Sequence, residues 1–508
     1  MNRSRKNRWL TASICLAWAG VWLFFLAGAE AGEAVAAGRP DVLFIMADDL
    51  RPELASYGSR AITPHLDRLA RLGVQFDRAY CQQSLCNPSR SSLLTGRRPE
   101  FLRVWDNSTH FRTHHPDLPT LPQWFKDHGY SARCVGKIFH NWHTSEKGDP
   151  RSWSAPEFLH FAQQGANLAA VPAPLPPNLA SPAPRPYGTS LPAAPLYECR
   201  DVPDEAYYDG RVAAEGVRLI EEPRDQPLFL AVGFWKPHAP FNAPKKYWDL
   251  YDRASLPPLN PARPSGAPDL AFHDSRELLG LPPDRVEFTA EQVAEIRHGY
   301  FANISYLDAQ LGKLLDALKR SGRLDNTIIL FVGDHGYHLG EHQLWAKNSN
   351  FELDARVPLL IAPPECRQAG GRTASLVELI DLFPTLVDLC ALPEPPGLEG
   401  VSLVPVLGDT AQSVKTAAFT QAPRPAYFDR EPGGQPTAMG VSVRTAELRS
   451  TQWRDWASGQ VLARELYDHQ QQPEELVNRI DDPQWARARM QAETLLEAQF
   501  PRPSLGAK

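Results

Sequence analysis

The chain has 508 residues, of which 43% are hydrophobic and 22% are charged, and its formal net charge is -6. This composition is typical of a soluble globular protein with ample material for a core, and it excludes a general electrostatic attraction to nucleic acid. The length predicts one large domain with a smaller companion.

The N-terminal segment, residues 1–32, is predicted to be a secretory signal peptide. A basic start between Arg3 and Arg8 is followed by an almost entirely apolar run from Leu10 to Gly28 and then by small residues. These are the three parts of an export signal. The apolar run also approaches the roughly 18 residues that span a bilayer, so an uncleaved anchor is the alternative. We expect the rest of the chain in a secreted, periplasmic or lysosomal-type compartment, with no stable membrane insertion once the signal is cleaved.

Four short apolar runs are predicted to be strands of a largely parallel sheet. They alternate with helical patterns, which favours an α/β fold. In chain order, Asp41 to Ala47 leads to Asp48 and Asp49, Ser131 to Val135 leads to Lys137 and His140, Pro227 to Phe234 leads to His238, and Thr327 to Gly333 leads to Asp334 and His335. Each run therefore delivers ionisable side chains just past its C-terminal end, which is the edge where open α/β sheets bind ligands.

Three helical patterns are predicted to pack against this sheet. The first begins at Pro64, with Thr63 as its capping residue. Apolar residues at helical spacing predict two more, over Tyr306 to Leu318 and over Leu379 to Leu389. A stretch rich in Pro and Ala, from Ala169 to Pro195, is predicted to be a surface loop.

Asp48 and Asp49 are predicted to bind a divalent cation together with Asp334 and His335. Adjacent carboxylates repel each other, so they need a cation or hydrogen-bond donors nearby. Carboxylate oxygens are the ligands that calcium and magnesium prefer. A helix cap or a turn is the alternative for an isolated Asp pair. The second acidic group, at the end of another strand, is what favours the metal.

The run Cys86-Asn87-Pro88-Ser89-Arg90, extended by Thr95-Gly96-Arg97-Arg98-Pro99, resembles the C-x-P-x-R signature of the type I sulfatases. In that family a maturation enzyme oxidises the cysteine to formylglycine, and a hydroxyl of the hydrated aldehyde attacks the sulfur of a sulfate ester. The resemblance therefore implies nucleophilic catalysis by a modified Cys86. A plain thiol is the alternative. Cys81 lacks Pro and Arg at the matching positions and is not predicted to be the nucleophile.

Further blocks narrow the resemblance to the iduronate-2-sulfatase group. They are Gly136 to His140, Phe234 to Phe241, Gly333 to Lys347, Val357 to Leu359, Asp381 to Leu386, Gln421 to Pro425 and Met439 to Thr445. Together with the Cys86 run they extend from about Asp41 to about Tyr467, which is nearly the whole chain after the signal.

The resemblance implies a role for each candidate residue. One calcium ion would be bound by Asp48, Asp49, Asp334, His335 and the formylglycine made from Cys86. Arg90 would hold that formylglycine. Sulfate oxygens would be contacted by Lys137, His238 and Lys347, where negative charge builds during the reaction. His140 would act as the base, and either His238 or Lys347 would protonate the leaving oxygen.

The resemblance also implies an architecture and a substrate class. We expect an alkaline-phosphatase-like α/β sandwich with a mainly parallel central sheet, in which residues 40–400 form the catalytic domain and residues 401–508 a smaller C-terminal α+β domain. The expected substrate is a sulfated carbohydrate, with 2-O-sulfated uronic acids of sulfated glycans as the target. The expected partner is a formylglycine-generating maturation enzyme, and no nucleic-acid partner is expected.

The chain departs from the group at two places, directly after Asp334-His335-Gly336 and directly after Lys347. Tyr337 and His338 stand where the group has an aromatic and then a small residue, and Asn348 stands where it has an aromatic. We expect these positions to lie near the bound sugar, so that the sulfate chemistry carries over better than the sugar preference.

Two other functions are open at this point. The first is hydrolysis of phosphate or phosphonate esters within the alkaline phosphatase superfamily, because such metal sites accept both anions. The second is non-enzymatic binding of a sulfated glycan, with Cys86 left as a thiol.

Overall fold

The computed structural model describes residues 38–502 apart from 143, 159, 161–195, 281, 282, 284 and 432. The predicted signal segment and the predicted loop from Ala169 to Pro195 both lie outside the described residues. Within the described part of the chain, no helix is long and apolar enough to cross a membrane.

Strands and helices alternate along most of the chain, as the sequence predicts. The strands are β1 (Asp41–Asp48), β2 (Val74–Tyr80), β3 (Ser131–Gly136), β4 (Tyr197–Arg200), β5 (Leu228–Pro237), β6 (Phe241–Pro244), β7 (Thr327–Gly333), β8 (His338–Leu339), β9 (Trp345–Ala346), β10 (Arg356–Ala362), β11 (Gly371–Glu378), β12 (Ala418–Arg424), β13 (Ala438–Arg444), β14 (Leu448–Asp455) and β15 (Val461–Asp468). The α-helices are α1 (Pro64–Leu72), α2 (Cys86–Thr95), α3 (Pro99–Leu102), α4 (Leu121–Asp127), α5 (Tyr208–Glu221), α6 (Lys245–Trp248), α7 (Arg276–Leu279), α8 (Ala290–Arg320), α9 (Glu352–Ala355), α10 (Leu382–Leu389), α11 (Val404–Gly408) and α12 (Ala486–Gln499).

The main sheet has seven strands in the order β11-β2-β10-β7-β1-β5-β3. Strands β7, β1, β5 and β3 are parallel neighbours, whereas β10 is antiparallel to the strands on both sides of it. The prediction of a mainly parallel sheet is confirmed. The four adjacent parallel strands are the four that the sequence predicted, so their carboxyl ends meet at one edge.

Both faces of the main sheet are covered by helices. In β1, alternate residues from Leu43 to Ala47 join one buried apolar cluster with α1, α5 and α8, and those from Val42 to Met46 join a second cluster with α2, α4 and α10. Successive side chains of a strand point to opposite faces. A strand with helices on both sides is therefore an unbroken apolar run, which is what made these strands visible in the sequence.

The predicted start of α1 is correct, but its cap is not the one expected. The hydroxyl of Thr63 accepts a hydrogen bond from the backbone N–H of Ala55 at 3.0 Å and does not cap the helix. The carboxylate of Asp308, in α8, accepts instead from the backbone N–H groups of His65 and Leu66, at 3.0 and 2.7 Å. A side chain distant in sequence has replaced the local cap, and it ties α1 to α8.

The other two predicted helices are also present, with different bounds. The segment Tyr306 to Leu318 is the C-terminal part of the 31-residue helix α8, whose first turn is closed by a capping box between Thr289 and Gln292. The segment from Leu379 begins as a short 3-10 helix, Leu379–Asp381, and continues as α10.

The C-terminal part contains a second, antiparallel sheet in the order β12-β13-β14-β15, with α12 packed against it. This confirms a smaller α+β part. The residues from Gly38 onward nevertheless form one compact unit. Ion pairs join the two parts, since Glu352 of α9 accepts from Arg449 of β14 at 2.6 Å and from Arg444 of β13 at 3.3 Å. The boundary at residue 400 stays a prediction.

Glu465 of β15 is a buried carboxyl group in this second sheet. Trp453 Nε1 donates to it at 2.7 Å, and the Tyr467 hydroxyl donates to it at 2.5 Å. Burial raises the pKa of Glu465 from 4.5 to about 7. The unfolded chain therefore releases this proton at a lower pH than the folded protein does. The folded state consequently loses stability as the pH rises from about 4.5 to about 7.

We expect Glu465→Gln to remove this loss, because the amide stays neutral and still offers an acceptor to Trp453. The substitution changes the free energy of unfolding relative to the wild type, and this change should be roughly 2–3 kcal/mol more stabilising at pH 8 than at pH 5. Urea unfolding at both pH values measures the difference. The exposed variant Glu447→Gln is the control, and an equal effect of Glu465→Gln at the two pH values would contradict the buried acid.

Candidate active site and metal centre

The candidate site lies at the carboxyl edge of the main sheet, where β7, β1, β5 and β3 end side by side. Asp48 is the last residue of β1, and Lys137, His238 and Asp334 directly follow β3, β5 and β7. The backbone N–H of Asp49 donates to Asp334 Oδ1 at 3.1 Å, although the two residues are 285 positions apart in the chain. The expectation that the four strand ends converge is confirmed.

Residue 86 begins α2, a helix whose residues are all buried. The Sγ atom of Cys86 lies 3.3 Å from Nε2 of His335. One donor atom from each of Asp48, Asp49, Cys86 and His335 lies within 4.8 Å of the others. Burial, and then the negative charge of Asp48, raises the pKa of the Cys86 thiol to about 12. The start of α2 therefore presents residue 86 directly to the strand-end ligands.

This group of donors fits one hard divalent cation. Calcium and magnesium take oxygen ligands, and an oxygen at position 86 would suit them better than the soft sulfur of a thiol. Asp334 lies at the margin of the group, because its Oδ1 accepts from the backbone N–H of His335 at 2.9 Å and its Oδ2 accepts from Arg90 at 2.8 Å. The structure thus contains a possible metal-binding site at the predicted residues.

Arg90 links the carboxylates of this site to one another. Its fully buried guanidinium donates to Asp334 at 2.8 Å, to Asp48 Oδ1 at 3.1 Å, and to the backbone carbonyls of Lys137 and Ile138 at 2.6 and 3.0 Å. Burial alone would raise the pKa of Asp48, but the charges of Lys137 and Arg90 hold it well below its usual range. These contacts fix two ligand carboxylates. The expected contact of Arg90 with residue 86 stays a prediction.

Lys137 and His140 follow β3, and both are close enough to Asp48 to be affected by its charge. The Lys137 ammonium forms an ion pair with Asp48 and lies 4.5 Å from the centre of the Trp235 ring. Burial, and then the charge of Lys137, holds the pKa of His140 well below its usual value. His140 is therefore kept as a neutral imidazole close to the metal ligands.

Lys347 lies at the centre of the other half of the site. Its Nζ donates to the two Asp49 oxygens at 2.9 and 3.1 Å, to Glu277 Oε1 at 2.6 Å and to His238 Nε2 at 3.2 Å. The Nδ1 atom of His238 lies 2.6 Å from the carbonyl oxygen of Ala239, to which it donates. Burial, and then the charge of Lys347, lowers the pKa of His238 to about 3. His238 is thus neutral, with its hydrogen on Nδ1.

Two residues of the site were missed by the sequence analysis. Glu277 lies in the short helix α7, and the hydroxyl of Tyr427, which follows β12, donates to Glu277 Oε2 at 3.2 Å. Despite burial, the charge of Lys347 keeps the pKa of Glu277 at about 2. Glu277 stands in no recognisable motif. Tyr427 comes two residues after a matching block, which is the only indication that the sequence offered.

The expectation that Tyr337 and His338 lie near a bound sugar stays a prediction, and the centre of the Tyr337 ring lies 5.8 Å from Lys347 Nζ. Both side chains are fully buried. The Tyr337 ring stacks on Tyr300 with centroids 5.9 Å apart, and His338 Nδ1 lies 2.6 Å from Asp354 Oδ1. The chain after β7 turns inward at this point, so these side chains support the site from behind. Asn348 is fully buried as well.

Asp49 is held in an unusual backbone conformation. Its φ is 62°, in the left-handed region that a non-glycine residue seldom adopts. The hydroxyl of Tyr300, in α8, donates to the carbonyl oxygen of Asp49 at 2.8 Å and accepts from the backbone N–H of Arg51 at 3.2 Å. Tyr300 therefore fixes the turn that directs the Asp49 carboxylate to both the metal ligands and Lys347.

Comparison with known proteins agrees with this site. The family model described as Sulfatase matches residues 40–391. The chain belongs to the sulfatase family. A second family model, described as N-sulphoglucosamine sulphohydrolase, C-terminal, matches residues 340–500. The enzyme is therefore a sulfatase that hydrolyses sulfate esters, and its fold is the alkaline-phosphatase-like one that the resemblance implied.

Individual relatives of this sulfatase differ in what they act on. Iduronate 2-sulfatase of Mus musculus is 34% identical over 490 residues, covering 83% of this chain and 86% of that protein. Choline-sulfatase of Rhizobium meliloti is 33% identical over 387 residues, covering 73% of this chain and 72% of that protein. The solved phosphonate monoester hydrolase of Agrobacterium radiobacter has a TM-score of 0.71 at 25% identity, covering 92% of this chain and 97% of that chain.

We expect Tyr300→Phe to weaken divalent-cation binding by roughly 10-fold, because the turn that directs Asp49 loses its hydrogen bonds. Calorimetric titration with calcium measures the affinity. Tyr306→Phe is a matched control in the same helix, since the Tyr306 hydroxyl donates to Asp204 O at 2.9 Å and accepts from Gly210 N at 2.6 Å. Both variants should lose about 1–3 kcal/mol of stability. Equal cation affinities in the two variants would contradict the role of Tyr300.

Proposed function

We propose that this sulfatase removes 2-O-sulfate groups from uronic acid residues of sulfated glycans, using formylglycine made from Cys86 and one calcium ion. The observation that carries the proposal is the position of Cys86 at the start of α2, with its Sγ within 4.8 Å of donor atoms of Asp48, Asp49 and His335. The similarity to iduronate 2-sulfatase over 83% of the chain supports the choice of sugar.

The residues around position 86 suit both implied groups. A formylglycine, once the maturation enzyme and its oxidant have replaced the sulfur with oxygen, supplies the attacking hydroxyl, and a calcium ion supplies positive charge for that hydroxyl and for a sulfate oxygen. Asp48, Asp49, Asp334 and His335 would hold the ion. Arg90 holds Asp48 and Asp334 in place, because each carboxylate accepts one of its N–H groups.

The sulfate group is bound in this proposal between Lys137 on one side and His238 with Lys347 on the other. Positively charged and polar donors at these places stabilise the negative charge that builds on the sulfate oxygens. Because Nδ1 of His238 donates to the carbonyl of Ala239, Nε2 of the neutral ring has no hydrogen, so Lys347 is the member of that pair with a proton to give to the leaving oxygen. His140, a neutral imidazole, would accept a proton when sulfate is released.

The proposal also includes the compartment in which the enzyme acts and the stage at which Cys86 is modified. The basic start, apolar middle and small-residue end of residues 1–32 support export to a secreted, periplasmic or lysosomal-type compartment. The maturation enzyme would act on the segment around Cys86 before α2 is buried, because every residue of that helix is buried in the folded protein.

We expect the peptide that contains residue 86 to carry an aldehyde in protein produced together with a maturation enzyme. Cys86→Ser should lower kcat by roughly 10³-fold or more, since the nucleophile is lost. Peptide mass spectrometry and sulfate release measure the two effects. Cys81→Ser, five residues earlier, is the control and should keep its activity. Full activity in Cys86→Ser, or in protein with an unmodified thiol, would rule the proposal out.

We expect the highest kcat/KM on a disaccharide whose uronic acid carries a 2-O-sulfate, by roughly 10-fold or more over its 6-O-sulfated glucosamine counterpart. Ion chromatography of released sulfate measures both rates. The phosphorus-ester alternative is tested with the sulfate, the phosphate and the phenylphosphonate ester of 4-nitrophenol, which share one leaving group. Faster turnover of the phosphonate than of the sulfate would favour that alternative. Binding of the disaccharide without sulfate release would favour a glycan-binding protein instead.

A further inference from the structure

Glu277 is a carboxylate of the site to which neither the metal nor the sulfate chemistry assigns a role. Its Oε1 accepts from Lys347 Nζ at 2.6 Å and lies 3.7 Å from His238 Nε2. Its Oε2 accepts from the Tyr427 hydroxyl at 3.2 Å. The side chain is only 14% exposed. Glu277 therefore holds a negative charge directly behind the two side chains that are proposed to receive the sulfate.

The contacts of Lys347 show why this charge matters. An ammonium group has three hydrogens, and here they are directed to Asp49, Glu277 and His238. Asp49 is also a proposed metal ligand, so a bound cation would neutralise part of its negative charge. Glu277 is then a carboxylate outside the proposed metal ligands, and its nearest cationic partner is Lys347 at 2.6 Å. Arg430 also approaches Glu277 Oε2, at 3.8 Å.

We propose that the negative charge of Glu277 is a specificity determinant, which makes the site select singly charged sulfate esters over doubly charged phosphate monoesters. The inference rests on the proposed function, because it places the anion against Lys347 and His238. A sulfate monoester carries one negative charge, whereas a phosphate monoester carries nearly two above pH 7. A fixed carboxylate behind the anion-binding donors repels a doubly charged ester about twice as strongly as a singly charged one, so it disfavours the phosphate relative to the sulfate.

Charge, and not shape, is the property that Glu277 contributes. Sulfate and phosphate esters have the same tetrahedral arrangement of oxygens, so donors such as Lys137 and Lys347 fit both. At an effective dielectric constant of about 20, a unit charge roughly 6–12 Å from the anion would change the relative affinity for one extra charge by roughly 10- to 100-fold. Discrimination on this scale requires no additional contact with the substrate.

Glu277→Gln separates the charge from the hydrogen bonds, because the amide oxygen can still accept from Lys347 while the negative charge is gone. The test uses Cys86→Ser protein, which keeps an oxygen at position 86 and consumes neither ester. Calorimetric titration at pH 8 with calcium gives the Kd of phenyl phosphate and of phenyl sulfate. We expect the ratio of the phosphate Kd to the sulfate Kd to fall roughly 10-fold or more in Cys86→Ser/Glu277→Gln.

Two further variants complete the experiment. Glu277→Asp retains the charge and should retain the high ratio, which separates the effect of charge from a general disturbance of the site. Glu465→Gln makes the same chemical change in the second sheet and should leave the ratio unchanged. An unchanged ratio in Glu277→Gln would overturn the proposal, as would failure of both esters to bind. Sulfate release by the wild-type enzyme tests the proposed function separately from this binding ratio.

Discussion

The buried contact of Arg90 with Asp48 and Asp334 is the interaction on which the rest of the site depends. All three side chains have no exposed surface, so none of the charges is stabilised by water. Removing one partner of such a group leaves an uncompensated buried charge, which costs about 3–5 kcal/mol. The same guanidinium also donates to the carbonyls of Lys137 and Ile138. One side chain thus joins α2 with the ends of β1, β7 and β3.

The site has two electrostatic halves that share Asp49. On one side Asp48, Asp49, residue 86 and His335 converge as ligands for a cation. On the other side Asp49 accepts both of its close contacts from Lys347, whose remaining hydrogens go to Glu277 and His238. The left-handed turn at Asp49 makes this sharing possible, because it directs one carboxylate between the two halves. Tyr300 holds the turn in place from α8.

Local pattern was sufficient for four adjacent strands of the main sheet and for the ionisable residues at their ends. The runs that became β1, β3, β5 and β7 are apolar throughout because both faces of the sheet are buried, and their last residues carry the ionisable groups. Local reasoning failed where a distant side chain intervened. Thr63 does not cap α1, because the carboxylate of Asp308 accepts from the backbone N–H of Leu66 in its place.

The sequence by itself determined which residues are candidates for the chemistry, because a C-x-P-x-R motif and four strand ends are local features of covalent order and periodicity. Tertiary structure alone decided how these residues are paired. Arg90 reaches Asp334 across 244 positions and Lys347 reaches Asp49 across 298, and no local pattern encodes such contacts. It also decided that Glu277 and Tyr427 belong to the site. The segment of α7 is held near Lys347 because Ser275 accepts from the backbone N–H of Trp345 at 3.0 Å, and Tyr427 is held there because its hydroxyl donates to the carbonyl of Lys347 at 3.4 Å.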